Sequence, residues 1–284
     1  MTELDQQPAS PRPADTPGAT LGVVSARGLG PVVEARKWLI DRLVHWQNRR
    51  GERALRAMPA LWDQMMRVSR GNLVTGASYS DYRVLYDQIR RYRPREVLEC
   101  GTGISTVVLA QALRENEAEG HGRGRLTSME EDAGWHRNAM EHLPDELRDY
   151  VDLVHSPKVD GFYKCFRGVQ YAEVPDRPYD FVFSDGPERH SPDNSDKLFD
   201  LDLIHVVRRS DRPVRAVVDN HYLTFYVLQK VFGPELARYS VTLKLMFIGP
   251  VTRDNVRHLK KENFVPDLRL LRPTEFKLRM AIDD

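Results

Sequence analysis

Apolar and polar residues follow two different periodicities along most of the chain. Short apolar runs predict β-strands at Glu96–Cys100, Leu126–Met129, Val151–His155, Tyr179–Ser184 and Arg215–Asp219, with two more within Ser240–Ile248 and Phe276–Ile282. Apolar residues spaced three and four apart predict helices at Ser80–Tyr92, Ser105–Arg114, Asp132–Leu143, Ser195–Arg208 and Tyr222–Phe232. This alternation predicts an α/β fold with a doubly wound, mainly parallel seven-stranded sheet that is covered by helices on both faces.

The beginning of the chain has a different pattern. Residues 1–30 are rich in proline and small polar residues, which predicts a disordered tail. Residues 31–75 are predicted to form a basic amphipathic helical extension, in which Trp38, Leu39, Leu43 and Trp46 fall at helical spacing and further apolar residues follow Gly51. Residues 76–284 then form the main domain.

The charge of this extension allows two interpretations. Residues 33–70 contain nine Lys/Arg and four Asp/Glu. This excess could serve a peripheral membrane contact or an anionic protein partner. The alternative, which we favour, is a helical layer that packs its Trp and Met side chains on the main domain and exposes its arginines.

Composition excludes some classes of function. The chain of 284 residues has 42 Lys+Arg and 41 Asp+Glu, so its net charge gives no reason to expect a nucleic-acid partner. We find no apolar run long enough to span a membrane, and the N-terminal residues lack the basic and apolar regions of a signal peptide. The two cysteines, Cys100 and Cys165, suit a reducing compartment. We therefore predict a cytoplasmic protein.

A glycine-containing turn follows the first predicted strand, in the stretch REVLECGTGISTVVLA. In a doubly wound sheet, ligands bind where the strands end, so this turn is the expected site. Gly101 and Gly103 let the backbone approach a ligand closely, and the following helix offers free N–H groups. A nucleotide-binding P-loop would need a lysine after Gly103, and the dinucleotide fingerprint would need a glycine at the position of Thr106. Neither is present.

The turn resembles that of class I S-adenosylmethionine-dependent methyltransferases, which have a Rossmann-like fold. The resemblance rests on Glu99-Cys100-Gly101-Thr102-Gly103, followed by Ser105 and Thr106. In that family the turn closes under the methionine part of the cofactor. The resemblance implies that the turn and a hydroxyl of Ser105 or Thr106 bind the cofactor carboxylate, and that Glu99 serves its ammonium directly or through water.

A second motif supports the same family. Leu126-Thr127-Ser128-Met129-Glu130 is similar to the family's second strand, whose terminal acid binds both ribose hydroxyls, and Glu131 is the neighbouring alternative. A carboxylate suits this task because it accepts two hydrogen bonds at once. By the same resemblance, Met129 or a nearby apolar residue would cover the adenine ring, and Ser156 would contact its edge.

Two later strands end in acids and suggest a metal site. Asp185, Asp219 and Asn220 resemble the residues that hold a divalent cation such as Mg²⁺ in the catechol and caffeoyl-coenzyme A O-methyltransferase group. Asp185 would also belong to the catalytic and cofactor-binding residues. The chain departs from that group, because Glu188 stands where the group commonly has a lysine. If no metal binds, His190 or His221 could act as the general base, since the unperturbed pKa of histidine lies near neutrality.

The motifs together predict a methyltransferase that acts on an oxygen of a small molecule. A nitrogen acceptor stays open, although the N/D-P-P-Y/W signature of adenine N-methylation is absent. Two rival functions are a non-catalytic cofactor-binding or assembly protein and an aminopropyl transferase. Acceptor specificity is expected from residues 31–80, 157–178 and 187–200, whose aromatic residues could line a pocket or close a core; these are Phe162, Tyr163, Phe166 and Tyr171.

Overall fold

The structure, a computed structural model, describes residues 31–71, 77–164 and 166–256. The helices are α1 Pro31–Arg56, α2 Pro59–Gly71, α3 Tyr79–Tyr92, α4 Ile104–Ala118, α5 Ala133–His142, α6 Asp202–Arg209 and α7 Tyr222–Phe232. The strands are β1 Glu96–Cys100, β2 Arg125–Glu130, β3 Val151–His155, β4 Lys158–Tyr163, β5 Phe166–Tyr171, β6 Phe181–Ser184, β7 Val214–Val218, β8 Ala237–Ser240 and β9 Leu245–Val251. The chain divides into two compact units, Met1–Leu39 and Ile40–Asp284. The predicted tail over residues 1–30 and the predicted strand within Phe276–Ile282 lie outside the described residues.

The main sheet confirms the predicted fold class. Within the described residues it has seven strands in the order β3-β2-β1-β6-β7-β9-β8. The neighbours from β3 to β7 are all parallel, and β9 runs antiparallel to both β7 and β8. The chain builds outward from β1 to β3 and then crosses to β6 on the other side of β1. The switch point therefore lies between the ends of β1 and β6, where a ligand is expected.

The sheet is buried on both faces. Leu98 of β1 and Val182 of β6 belong to one hydrophobic cluster, which includes residues of α6 and α7. Val97 and Phe181, one residue earlier in each strand, belong to the other cluster, which includes residues of α2, α3 and α4. Because successive strand residues point to opposite faces, these continuous apolar runs supply two cores.

The helices before the sheet pack into the second cluster. Leu55 at the end of α1 and Leu61 and Met65 of α2 are buried with residues of α3 and α4. In contrast, Leu43 and Trp46 of α1 are 39% and 51% exposed. The C-terminal part of α1 and helix α2 therefore pack on the main domain, as the favoured interpretation of the extension expects. A membrane or protein partner for the exposed residues of α1 stays a prediction. No helix in the described part of the chain is long and apolar enough to cross a membrane.

Helix α1 continues through Gly51. A Cβ atom at Gly51 would lie 2.6 Å from the backbone oxygen of Tyr79 and 2.8 Å from the Cα atom of Ser80. Glycine thus allows α1 to cross the start of α3 at close range. It serves helix packing here and does not end the helix.

The predicted helix at Ser195–Arg208 begins later than expected, at Asp202. The preceding residues pair with β5, since the N–H of Val169 donates to the oxygen of Phe199 and the N–H of Leu201 donates to the oxygen of Val169. This pairing holds the segment extended, and the Asp200 carboxylate accepts from the N–H of Asp202 at the helix start. The apolar spacing was therefore a poor guide to the start of α6.

Two hairpins also differ from the sequence predictions. The predicted strand Ser240–Ile248 spans the end of β8, a turn over residues 241–244 and the first half of β9, and β8 and β9 pair antiparallel. Residues 157–178, from which we expected acceptor specificity, contain the antiparallel pair β4 and β5. In this pair Tyr163 and Tyr171 are buried in the core, whereas Phe162 is 65% exposed.

Candidate active site

A cavity of about 470 Å³ opens at the ends of β1, β2 and β6, beside the switch point. Its volume lies within the range of about 300–1,000 Å³ that is typical of small-molecule sites. The cavity gathers many of the predicted site residues from separate parts of the chain. Its lining includes Gly101, Thr102, Gly103, Ser105, Thr106, Glu130, Asp185 and His221.

The glycine turn is held against the end of the neighbouring strand β6. Gly101 has a φ of +96°, which favours glycine, and a Cβ atom there would lie 3.3 Å from the backbone carbon of Asp185. The N–H of Gly101 donates to the oxygen of Met129, and the N–H of Asp185 donates to the oxygen of Cys100. These bonds extend the parallel ladder beyond the strands. Consequently the turn and Asp185 meet at the mouth of the switch point.

Glu99 lies beneath the turn and is completely buried, at 0% exposure. Its Oε2 atom accepts hydrogen bonds of 2.6 Å from the hydroxyls of Thr106 and Ser128. Burial raises the pKa of Glu99 to about 7, and the hydroxyl donors offset part of this increase. Glu99 thus supports the turn from below, while its Oε1 atom has no hydrogen-bond partner among the described residues. Its predicted role toward the cofactor ammonium, directly or through water, stays a prediction.

The second acidic residue, Glu130, does reach the cavity. Its Oε1 atom accepts a 2.9 Å hydrogen bond from the N–H of Asp132, the residue that caps α5. Burial and, to a lesser extent, repulsion by Glu131 raise the pKa of Glu130 to about 7. Glu131 also lines the cavity but accepts from the N–H of Glu188, across the cavity mouth. Glu130 is thus the better placed of the two for a ligand beside the glycine turn.

Three side chains at the ends of β6 and β7 form a possible metal site. Asp185, Asp219 and His221 each offer one ligand atom, and these atoms all lie within 4.8 Å of one another. Burial and mutual repulsion raise the pKa of the Asp185 carboxyl well above its usual range, and burial also raises that of Asp219. Two carboxyls placed this way share a proton or attract a cation. The donor set therefore fits a divalent ion.

The predicted ligand Asn220 is not part of the cavity lining, whereas His221 is. The Nδ1 atom of His221 is buried and has no hydrogen-bond partner among the residues described. Burial, together with the nearby charge of Arg189, lowers the pKa of His221 to about 3. A neutral imidazole with so low a pKa is a weak general base but an available metal ligand. His221 therefore suits metal binding better than proton abstraction.

His190 lies outside the cavity lining, and its Nδ1 atom is hydrogen-bonded to the exposed carboxylate of Glu188. The short pairing of His190 with Lys197 holds this segment at the surface. The structure thus does not bring His190 together with the residues that line the cavity, and its role as a base stays a prediction.

The two residues predicted at the adenine ring are also placed elsewhere. The side chain of Met129 is fully buried in the core, because it points to the opposite face of β2 from Glu130. Ser156 lines a different cavity, and its hydroxyl accepts from the N–H of Glu173. Neither residue lines the cavity at the glycine turn, and their roles at the adenine ring stay predictions.

Three cavity residues were missed from the sequence. Tyr82 enters from α3, Trp135 from the first turn of α5 and Arg189 from the loop after β6. Tyr82 had been assigned only to an apolar helix face. Trp135 could have been found, because Asp132 caps α5 directly after the ribose-binding motif and accepts from the N–H of Trp135.

Comparison with known proteins supports the same domain type. Residues 98–211 match a protein-family model described as "Methyltransferase domain". That stretch includes the glycine turn, Glu130 and Asp185, so the match bears out the predicted methyltransferase domain over these residues. The narrower resemblance to catechol and caffeoyl-coenzyme A O-methyltransferases stays a prediction.

Among solved structures, the SAH-bound Podospora anserina methyltransferase PaMTH1 is similar, with 14% sequence identity and a TM-score of 0.41. The similarity covers 62% of this chain and 66% of that chain, which is just under two thirds of its length. A search of curated proteins found no match.

Proposed function

We propose that this protein transfers a methyl group from S-adenosylmethionine to a hydroxyl oxygen of a small molecule, with a divalent cation at Asp185 and Asp219. One observation carries the proposal. The glycine turn, Glu130 and Asp185 line one cavity, although they come from three different regions of the sequence, and Asp219 offers a ligand atom within 4.8 Å of one of Asp185. Cofactor-binding and acceptor-activating groups would thus face each other within a single small-molecule site.

The cofactor end of the cavity would recognise the two polar parts of S-adenosylmethionine. The cofactor carboxylate would lie at the start of α4, where Ser105 lines the cavity and the first N–H groups of the helix have no helical acceptor. The ribose hydroxyls would donate to Glu130, whose Oε1 atom also accepts from the N–H of Asp132. Trp135 contributes an apolar surface to the same cavity.

The acceptor end carries the buried carboxyl pair. When bound, S-adenosylmethionine supplies an electrophilic methyl group, and a divalent ion supplies a Lewis acid that lowers the pKa of the acceptor hydroxyl. Asp185 and Asp219 would hold the ion, since hard cations prefer carboxylate oxygens. Tyr82 and Pro187 at the cavity wall would help to orient the acceptor and exclude water. The protein's own contribution is therefore alignment and charge placement.

A comparison of two acceptors tests the proposal. The purified protein is incubated with S-adenosylmethionine, a divalent cation and either an aromatic vicinal diol or its monohydroxy analogue, and methylated product is measured by mass spectrometry. Two adjacent oxygens can both reach one cation, so we expect product from the diol and much less from the analogue. Chelation and Asp219→Asn should abolish turnover of the diol.

The exposed residue Asp211 provides a matched control, because Asp211→Asn makes the same substitution away from the cavity. It should retain activity. Turnover of the diol that survives both chelation and Asp219→Asn would disprove the metal-dependent mechanism. Absence of methyl transfer to any oxygen acceptor in a broad panel, together with transfer to amines, would disprove the O-directed function.

A further inference from the structure

The third protein ligand of the possible metal site determines which ions it selects. Besides the two carboxylates, the cluster contains the imidazole of His221. A site of carboxylates and an amide offers oxygen atoms only, as Mg²⁺ and Ca²⁺ prefer. Replacing the amide oxygen by an imidazole nitrogen changes the chemical class of the site.

The placement of His221 favours its role as a ligand. The residue is only 9% exposed, yet it lines the cavity and lies with Asp185 and Asp219. Its Nδ1 atom finds no hydrogen-bond partner in the part of the chain that the structure describes. Buried polar atoms are nearly always paired, so an unpaired nitrogen on an imidazole that lies with two carboxylates points to a missing ligand.

Asn220 is the competing candidate. Its Oδ1 atom is also buried and unpaired within the described ranges. However, His221 lines the cavity together with Asp185, whereas Asn220, like Asp219, does not, so an ion held between Asp185 and His221 would face the space where an acceptor must bind. His221 thus has a buried, unpaired atom and also lines the cavity, whereas Asn220 has only the buried, unpaired atom.

We propose that His221 is the third protein ligand and that the site therefore selects a first-row transition-metal dication such as Mn²⁺ over Mg²⁺ and Ca²⁺. Imidazole nitrogen suits these borderline ions, whereas the hard alkaline-earth ions gain little from it. Two carboxylates and one imidazole leave coordination positions for acceptor oxygens. The ion preference refines the proposed methyltransferase function, but ion binding itself can be measured without methyl transfer.

Direct titration tests the preference. Mn²⁺ and Mg²⁺ are each titrated calorimetrically into the full-length protein, with and without S-adenosylmethionine and without any acceptor. We expect Mn²⁺ to bind at least about tenfold more tightly than Mg²⁺, and His221→Asn to reduce this ratio to near one, because asparagine offers a hard oxygen in place of the nitrogen. Pulsed electron paramagnetic resonance of bound Mn²⁺ should show coupling to an imidazole ¹⁴N nucleus that His221→Asn removes.

Two variants serve as controls. His190→Asn makes the same substitution at a histidine outside the cavity and should leave the ratio and the ¹⁴N coupling unchanged. Asn220→Ala should also leave the coupling in place. Circular dichroism verifies that each variant is folded. If His221→Asn does not fold, the ¹⁴N coupling of the wild type still tests whether an imidazole binds the ion.

Three results would overturn the inference: no ion bound under either condition, equal affinities of the wild type for Mn²⁺ and Mg²⁺, or bound Mn²⁺ without ¹⁴N coupling. These outcomes are separate from failure of the proposed function. If Mn²⁺ binds through His221 but no acceptor is methylated, the metal site stands and the O-methyltransferase proposal fails. If methyl transfer proceeds with Mg²⁺ alone and Mn²⁺ binds no more tightly than Mg²⁺, the methyltransferase proposal stands and the inferred ion preference fails.

Discussion

The Thr106 hydroxyl is the best point at which to test how the glycine turn is supported. It donates a 2.6 Å hydrogen bond to Oε2 of the buried Glu99 and accepts a 3.1 Å hydrogen bond from the N–H of Gly103. Thr106→Val keeps the shape of the side chain and removes both interactions. Ser128 would then be the remaining described donor to Oε2.

The expected loss can be worked out from these two bonds. A hydrogen bond to a charged group is worth about 1.5–3 kcal/mol and a neutral one about 0.5–1.5 kcal/mol, so Thr106→Val should lower the free energy of unfolding by about 2–4 kcal/mol. Thr127→Val is the matched control. Thr127 is equally buried, in β2, but its hydroxyl lies beside the neutral phenol of Tyr179 instead of a carboxylate, so its loss should be much smaller.

The pH dependence adds a second test. Glu99 has a pKa of about 7 in the folded protein, above its ordinary value of 4.5. A raised folded-state pKa means that the folded chain holds the proton more tightly, so this residue makes stability fall as the pH rises between these two values. Because the Thr106 hydroxyl favours the ionised form, its removal should cost more at about pH 8 than at about pH 5.5.

Urea unfolding followed by circular dichroism, at both pH values and for both variants, provides the measurement. The reasoning would be refuted if Thr106→Val cost no more than Thr127→Val. It would also be refuted if the loss for Thr106→Val were the same at the two pH values.

Two further substitutions test the turn and the helical layer. Gly101→Ala should lower the free energy of unfolding by about 1–2 kcal/mol, because the φ of +96° is unfavourable for alanine. It should also weaken cofactor binding, since the new Cβ atom would press on the backbone of Asp185; calorimetry and thermal unfolding measure the two effects. Leu55→Ala should cost about 2–5 kcal/mol, because this residue of α1 is fully buried in the core. Leu43→Ala, at a position 39% exposed on the same helix, should cost far less, and equal losses would contradict the packing of α1 into the core.

The sequence was most informative where one strong pattern decided the structure. The apolar runs of β1 and β3 and the helical spacing of α7 predicted these elements with their observed bounds. The turn at Gly101 could be predicted equally well, because its left-handed backbone and its close approach to the backbone of Asp185 favour glycine. The start of α6 was wrong because pairing with β5, a contact distant in sequence, overrides local helical spacing.

The site was harder to predict because side-chain direction depends on the fold. Met129 and Glu130 are adjacent in β2, yet one points into the core and the other into the cavity. The hydroxyls of Thr106 in α4 and Ser128 in β2 hold the Glu99 carboxylate beneath the turn by hydrogen bonds. His221 enters the possible metal site only once β6 and β7 lie side by side. Motifs predicted the position of the site, but tertiary contacts decided the role of each residue.

Calorimetric titration of S-adenosylmethionine into the wild type, Glu130→Ala and Glu141→Ala tests the central claim most directly. Glu141 is an exposed residue of α5 and controls for the change of charge. The wild type and Glu141→Ala should bind one equivalent with the same affinity. Glu130→Ala should bind roughly 10–150-fold more weakly, because it loses charge-assisted hydrogen bonds worth about 1.5–3 kcal/mol. No binding to the wild type at millimolar cofactor, or equal affinity in all three proteins, would contradict the assignment of this cavity.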